Sequence, residues 1–141
     1  MRRRSKSRIW ALQIIYTWEL VGGDLHEIAA EHLNRRNAGK LGRAFTLKLI
    51  SKIDKELEHI DKIIEGTLTA WPIERLSVID KNIIRLGTCE LLFFDDIPRA
   101  VVIDEAIILA ASYGGVDSAG FINGVLDSIS KPGGDSRCST E

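Results

Sequence analysis

Cysteine is scarce in this 141-residue chain, which contains two. Cys89 lies in an apolar stretch, and Cys138 lies in a polar C-terminal segment. Two cysteines in such different settings provide neither a disulfide framework nor the paired thiolates of a zinc site. We therefore expect reduced thiols and a cytoplasmic protein.

Long apolar runs are also missing. No run approaches the ~20 residues that a membrane span requires. The segment after the basic N-terminus is interrupted by Gln13, Thr17 and Glu19, and no small-residue cleavage site follows it. We expect neither a membrane span nor a signal peptide. No stretch alternates convincingly between apolar and polar residues, so we predict an all-α fold.

Few residues have the arrangement that catalysis or metal binding requires. The three histidines His26, His32 and His59 are scattered, without the H-x-x-x-H spacing of a metal site. Gly39-Lys40 is followed by Leu41 rather than by the Ser or Thr of a phosphate loop. We predict no metal, no cofactor and no enzymatic activity. Because the formal net charge is −1, any nucleic-acid contact must use a local patch.

What the chain does contain is apolar residues at helical spacing, which predict six or seven helices. The first helix is apolar on most sides, ends at Gly22-Gly23, and is followed by a helix that Asp24 caps. A polar loop over residues 34–42 contains a second basic cluster, which we interpret as a solvated loop.

The middle of the chain also has helical periodicity. The pattern from Leu41 to Leu68 predicts one long helix, or two with a break near His59, and Trp71-Pro72 ends it. Ser77 or Asp80 opens the next helix. We place the three tryptophans, Trp10, Trp18 and Trp71, in the core or at helix junctions. Residues 132–141 lack core-forming side chains and are predicted to be a disordered tail.

The N-terminus concentrates positive charge in five of the seven residues from 2 to 8: Arg2, Arg3, Arg4, Lys6 and Arg8. Cations oppose the positive end of a helix dipole. An anion would relieve this conflict, because helix N-termini and guanidinium groups both bind phosphate. From the charges alone, a solvated and frayed basic end remains an equal alternative.

Two helices meet at an elbow in the C-terminal part. Pro98 suits the first turn of the earlier helix, and we expect Gly114 or Gly115 to end it in a left-handed conformation. The Asp117 carboxylate is expected to cap the later helix. The elbow then presents Tyr113, Asp117 and Phe121, and a carboxylate between two aromatic residues is not needed to bury a core.

Four motifs follow one another along the chain. They are A-L-Q-x-x-Y-x-W over residues 11–18, W-x-x-x-R-L-x-x-x-D over 71–80, I-x-R-L-x-x-x-E-L-L over 83–92, and the elbow segment over 98–127. The last contains V-x-I-x-E-A-x-x-L-A, Y-G and F-x-N-G-V-L-D. Together they resemble the NusB family of bacterial transcription antitermination factors. The resemblance implies about seven helices in two packed helical subdomains, with residues 1–131 forming a single RNA-binding domain.

The resemblance also implies a function. It predicts binding to boxA, a short single-stranded leader RNA element, as a complex with a small-subunit ribosomal protein (NusE). It further implies work within the RNA polymerase antitermination complex, supporting processive transcription of ribosomal RNA operons.

The family's site residues carry over one by one. The resemblance implies that the family's RNA-binding positions correspond here to Arg4, Lys6 and Arg8, with Arg2 and Arg3 as neighbours, and to the elbow residues Tyr113, Asp117 and Phe121. It implies that the positions that bind the protein partner correspond to Tyr16, Glu74 and Asp80. The chain departs from the family at Ala111-Ser112 and Gly120, where basic side chains are common, and at Cys89, where tyrosine is usual.

Two other functions remain open from the sequence. One is an RNA-binding module related to the N-terminal domain of ribosomal RNA cytosine methyltransferases. The other is a structural helical protein that forms a homodimer. The RNA hypothesis additionally predicts that the basic N-terminus and the elbow converge on one flexible strand.

Overall fold

The computed structural model describes residues 3–69 and 71–131, and every regular element within them is helical. The six α-helices are α1 (Arg3–Val21), α2 (Leu25–Arg35), α3 (Lys40–Thr67), α4 (Val78–Phe93), α5 (Arg99–Tyr113) and α6 (Ser118–Ser130). A short 3-10 turn, Ile73–Arg75, lies between α3 and α4. The all-α prediction is confirmed, with six α-helices and one turn in the described part where about seven helices were expected.

Some predictions fall outside the described residues. These are the RNA-binding role of Arg2, the setting of Cys138 and the tail at residues 132–141. Within the described ranges, no helix has both the length and the apolar character that crossing a membrane would demand.

The chain divides into two compact units, Met1–Leu57 and Glu58–Glu141. The division falls within α3, next to Glu56, whose backbone angles (φ −110°, ψ 17°) depart from helical values. The sequence predicted one long helix or two with a break near His59. The structure has a single hydrogen-bonded helix that is kinked at Glu56, three residues earlier.

The first unit packs α1 against α2 around fully buried aliphatic side chains that include Leu12, Ile15 and Leu33. Hydrogen bonds join α1 to the start of α3. The Ser7 hydroxyl donates to the Gly42 carbonyl (2.9 Å), and the Thr46 hydroxyl donates to the Ser7 carbonyl (3.2 Å). These bonds satisfy buried polar groups and fix the basic end of α1 beside α3.

The predicted helix ends are largely correct. Gly22 and Gly23 have φ of 84° and 99°, which glycine adopts without the steric cost of a Cβ, and α1 ends before them. The Asp24 carboxylate accepts a hydrogen bond from the His26 amide (2.9 Å), as an N-cap does. Of the two proposed starts of α4, Ser77 is the N-cap, since its hydroxyl accepts from the Asp80 amide (3.0 Å).

In the second unit, α4 packs against both α5 and α6. A Cβ placed on Gly87 of α4 would lie 2.7 Å from the Leu126 side chain of α6, so glycine permits this close approach. The buried guanidinium of Arg85 donates to both carboxylate oxygens of Asp61 (2.9 and 2.8 Å) and to the Asn82 side chain (3.0 Å). This bidentate pair ties α4 to the second half of α3.

Candidate functional site

The elbow between α5 and α6 is built differently from the prediction. Gly114 caps α5 with φ −92° and ψ −174°, which is extended and not left-handed. The prediction of a left-handed glycine is therefore wrong. Glycine serves close packing instead, because a Cβ at Gly114 would lie 2.7 Å from the Ser118 Cβ and 2.8 Å from the Ala110 carbonyl oxygen.

Asp117 occupies the N-cap position of α6, as expected, but its carboxylate accepts no capping hydrogen bond among the described residues. Its ψ of 1° differs from the extended conformation in which an N-cap side chain reaches the first free amides. The Ser118 hydroxyl bridges the elbow instead, accepting from the Gly115 amide (2.9 Å) and donating to Asp80 Oδ1 (2.7 Å). The exposed Asp117 carboxylate is thus available to a ligand.

An open groove of about 470 Å³ lies beside the elbow, and we call it the elbow groove. Its walls include Trp71, Arg75, Asp80, Asp117 and Phe121. The structure therefore brings together two residues predicted to bind RNA, Asp117 and Phe121, and one predicted to bind the protein partner, Asp80.

Other predicted residues of this unit lie near the groove without lining it. Tyr113, the last residue of α5, is 38% exposed. Glu74 is exposed within the 3-10 turn. Both side chains are accessible to a ligand.

Of the two settings predicted for Trp71, the core or a helix junction, the structure shows the second, because Trp71 lies between α3 and the 3-10 turn. Its side chain is 50% exposed, and the guanidinium carbon of Arg75 lies 5.7 Å from the ring centroid. The sequence contained a signal for this placement, because Trp71-Pro72 stands outside both flanking helices and so belongs to no apolar helix face. Trp10 and Trp18 are partly buried on α1.

A second candidate surface lies in the first unit, where the basic end of α1 meets α3. A cavity of about 260 Å³, which we call the basic pocket, is lined by Arg3, Arg4, Leu41, Ala44, Phe45 and Lys48. All three charged residues of this described lining are cations. Leu41 and Lys48 were not predicted to belong to this site, because their nearness to the N-terminus depends on how α1 packs on α3.

Aromatic rings hold the cations of α1 in place. The Arg4 guanidinium carbon lies 4.4 Å from the centroid of Phe45, and the Lys6 ammonium lies 6.0 Å from the Trp10 ring. Cations within about 6 Å of a ring face are attracted to its quadrupole. The side chains are therefore partly ordered before any ligand arrives.

Arg8 differs from the other predicted RNA-binding residues. It is only 3% exposed, and its guanidinium carbon lies 5.4 Å from the Phe45 centroid. A buried guanidinium presents little surface to a phosphate. Arg8 instead packs on the same ring as Arg4.

Tyr16, the predicted partner residue on α1, is 37% exposed. Leu20 lies one turn further along the helix and is 57% exposed. The two side chains share one helix face, because residues four apart are neighbours on a helix.

Among the described residues, no group of three His, Cys, Asp or Glu side chains is arranged to hold a metal ion.

Comparison with known proteins identifies the family. The family model described as "NusB family" matches residues 5–131. A transcription antitermination protein NusB from Sorangium cellulosum is 35% identical, over 93% of this chain and 94% of the relative. Its counterpart from Dehalococcoides mccartyi is 38% identical, over 91% of this chain and 90% of the relative.

Solved structures agree with this result. A structure of T. maritima NusB superposes with a TM-score of 0.87 at 36% identity, covering 100% of this chain and 99% of that one. A structure of the antitermination factors NusB and NusE in complex with double-stranded RNA has a TM-score of 0.85 at 31% identity, covering 92% and 97%. The sequence motifs, the helical fold and these matches agree, and the chain belongs to the NusB family.

Proposed function

We propose that this protein is a transcription antitermination factor that binds single-stranded boxA leader RNA together with NusE. In this role it joins the RNA polymerase antitermination complex and supports processive transcription of ribosomal RNA operons, without catalysing a reaction. The curated relatives bear the name transcription antitermination protein, and a solved relative was crystallised with NusE and double-stranded RNA. Residues 1–131 act as one RNA-binding domain in this proposal.

The basic pocket is the single observation that carries the RNA-binding proposal. Arg3, Arg4 and Lys48 converge at the N-terminus of α1, where the first turn contains no acidic residue among those described. Helix dipole and side-chain charges there have the same sign, so a bound phosphate lowers the electrostatic energy of both. Because Arg4 is already stacked on Phe45, less side-chain entropy is lost on binding.

The elbow supplies the second element of single-strand recognition, which is a surface for unpaired bases. Phe121 lines the elbow groove, and Tyr113 is accessible at the end of α5. Asp117 repels phosphate, so its position suits a base edge or a limit on affinity. The departures at Ala111-Ser112 and Gly120 leave this surface with little positive charge.

In this proposal NusE contacts Tyr16 of the first unit, and Glu74 and Asp80 of the second unit. Tyr16 and Glu74 are exposed, and one oxygen of the Asp80 carboxylate accepts a hydrogen bond from the Ser118 hydroxyl. An exposed tyrosine offers apolar area with a polar tip, which is a combination enriched at protein interfaces. The two carboxylates would pair with cations of the partner.

The test is a salt titration of RNA affinity in the double variant Arg4→Gln/Lys6→Gln, followed by fluorescence anisotropy. We expect affinity to fall tenfold or more, and the slope of log K against log salt to flatten by about 0.7 for each phosphate that the variant no longer neutralises. A matched control is Lys55→Gln/Lys62→Gln, which removes the same charge from exposed positions of α3. Equal affinities in the two double variants would contradict the proposal.

A second arm of the experiment isolates the protein partner. Tyr16→Ala should weaken NusE binding while leaving RNA binding by the isolated protein unchanged, with circular dichroism as the folding check. Thr17→Ala, an exposed neighbour on the same helix, is the control. Loss of both NusE and RNA binding in Tyr16→Ala would contradict separate surfaces.

A further inference from the structure

A second cavity adjoins the elbow groove within the same unit. It measures about 350 Å³, and we call it the α6 cavity. Its lining includes Thr67, Thr69, Trp71, Phe121, Gly124 and Ser128. Trp71 and Phe121 line both cavities, so the two aromatic residues form a shared wall.

The lining of the α6 cavity suits an aromatic heterocycle better than a phosphate. None of its described lining residues is charged, and three of them contribute hydroxyl groups. The Thr67 hydroxyl donates to the Ile63 carbonyl (3.1 Å), which leaves its oxygen able to accept a hydrogen bond. Two aromatic side chains and several hydroxyls can stack on a nucleobase and bond to its edge.

The α6 cavity has free space next to two glycines of α6. A Cβ built on Gly120 or Gly124 would meet nothing within 4 Å, and both glycines line the cavity. The absence of side chains at these two positions leaves space for a ligand along α6.

Arg75 supplies the positive charge that the α6 cavity lacks. Its guanidinium lies over the Trp71 ring and lines the elbow groove. A base in the α6 cavity would thus have a cation on the groove side of the shared wall, within reach of an adjoining phosphate. An aromatic platform next to a cation is the combination by which proteins hold single-stranded nucleic acids.

We propose that Trp71 is a base-stacking residue, and that one unpaired nucleobase of the bound RNA enters the α6 cavity while Arg75 contacts a neighbouring phosphate. This inference deepens the proposed function and rests on it. A nucleobase is favoured over a protein side chain because the cavity combines hydroxyls with aromatic rings and is continuous, through Phe121, with the proposed RNA surface.

The experiment measures the affinity of Trp71→Ala and Trp71→Phe for a short single-stranded boxA RNA. Stacking on one aromatic residue contributes enough for Trp71→Ala to weaken binding about tenfold, and Trp71→Phe should stay within about threefold of the unsubstituted protein. Thermal melts serve as the folding check, and we expect little change in melting temperature because the Trp71 side chain is half-exposed.

Tryptophan fluorescence gives an independent readout. A base stacked on the indole quenches its emission, so RNA should quench the unsubstituted protein and a Trp18→Phe control alike. Quenching should be largely lost in Trp71→Phe. Trp18 is a suitable control because its ring donates to the Gly23 carbonyl of the first unit.

The outcomes separate this inference from the proposed function. If no protein binds RNA at any salt concentration, the proposed function fails. If RNA binds Trp71→Ala with unchanged affinity, only the role of Trp71 is overturned. If Trp71→Ala loses NusE binding and keeps RNA binding, the α6 cavity receives a protein side chain and the nucleobase assignment is wrong.

Discussion

Asp117 carries a negative charge into a surface that we propose binds RNA. Since its carboxylate caps no amide among the described residues, its removal should cost the fold little. The Asp117 carboxylate lines a groove that also contains the carboxylate of Asp80.

Asp117→Asn should therefore tighten RNA binding several-fold, because a repulsion between like charges disappears while the size of the side chain is kept. Anisotropy at low salt would show the largest effect. Asp104→Asn, the same substitution at an exposed position of α5, should leave affinity nearly unchanged. Weaker binding in Asp117→Asn would mean that the carboxylate accepts a hydrogen bond from a base.

His32 makes the stability of the first unit depend on pH. Burial, with smaller contributions from the charges of Arg36 and Arg35, lowers the pKa of His32 from 6.5 to about 4. Its Nε2 lies 2.9 Å from the Gln13 Oε1, a contact that the neutral ring makes by donating from Nε2. Between these two pKa values the unfolded chain binds a proton that the folded chain excludes.

The free energy of unfolding should therefore be highest above pH 6.5 and should fall as the pH drops from 6.5 towards 4. Urea denaturation at several pH values measures this loss. His32→Gln should flatten the profile in that window, whereas His26→Gln, at an exposed histidine, should leave the contribution of His32 in place. A profile that His32→Gln does not alter would contradict this assignment.

At the scale of elements, the elbow depends on how closely Gly114 approaches α6. A Cβ at Gly114 would overlap both Ser118 and the Ala110 carbonyl, whereas a Cβ at Gly115 would lie 3.8 Å from the Ser118 hydroxyl, an ordinary contact. Gly115 is therefore a suitable control for a substitution at Gly114.

Gly114→Ala should lower the free energy of unfolding by about 1–3 kcal/mol, as overpacking of a close contact typically does. It should also weaken RNA binding, because Ser118 must move and the α6 start moves with it. Gly115→Ala should change neither quantity appreciably. Equal denaturation midpoints for the two variants would show that the elbow tolerates a wider approach.

The sequence predicted the helices well wherever local chemistry determines them. Gly22-Gly23, Asp24 and Ser77 act on backbone groups within three residues, so their roles can be inferred from the chain itself. The long α3 was likewise evident from its periodicity. The position of its kink, at Glu56, was missed by three residues.

The features that the sequence did not reveal depend on how side chains pack in three dimensions. The close approach of Gly114 to Ser118 and Ala110 is one, and the pairing of Arg85 with Asp61, 24 residues away, is another. The burial of Arg8 depends on packing that no local pattern encodes, whereas the exposure of Trp71 agrees with its position outside the flanking helices. Only part of the basic pocket was predicted. Its arginines belong to the basic N-terminal run of α1, whereas Leu41 and Lys48 line it because α1 packs on α3.

For the whole molecule, a net charge of −1 means that nucleic-acid affinity must be local. Each unit contributes one candidate RNA-binding surface, the basic pocket in the first and the elbow groove with the α6 cavity in the second. The convergence of the basic N-terminus and the elbow on one strand stays a prediction.

The hydroxyl of Ser118 joins Asp80, assigned to the protein partner, to the elbow assigned to RNA. If binding of RNA or of NusE displaces this hydroxyl, the hydrogen bonding of the Asp80 carboxylate changes, and so does the surface that the second ligand meets. Thermodynamic reciprocity then requires that whatever factor RNA imposes on the affinity for NusE, NusE imposes on the affinity for RNA. Through Ser118, the binding of RNA and the binding of NusE would each change the affinity for the other ligand.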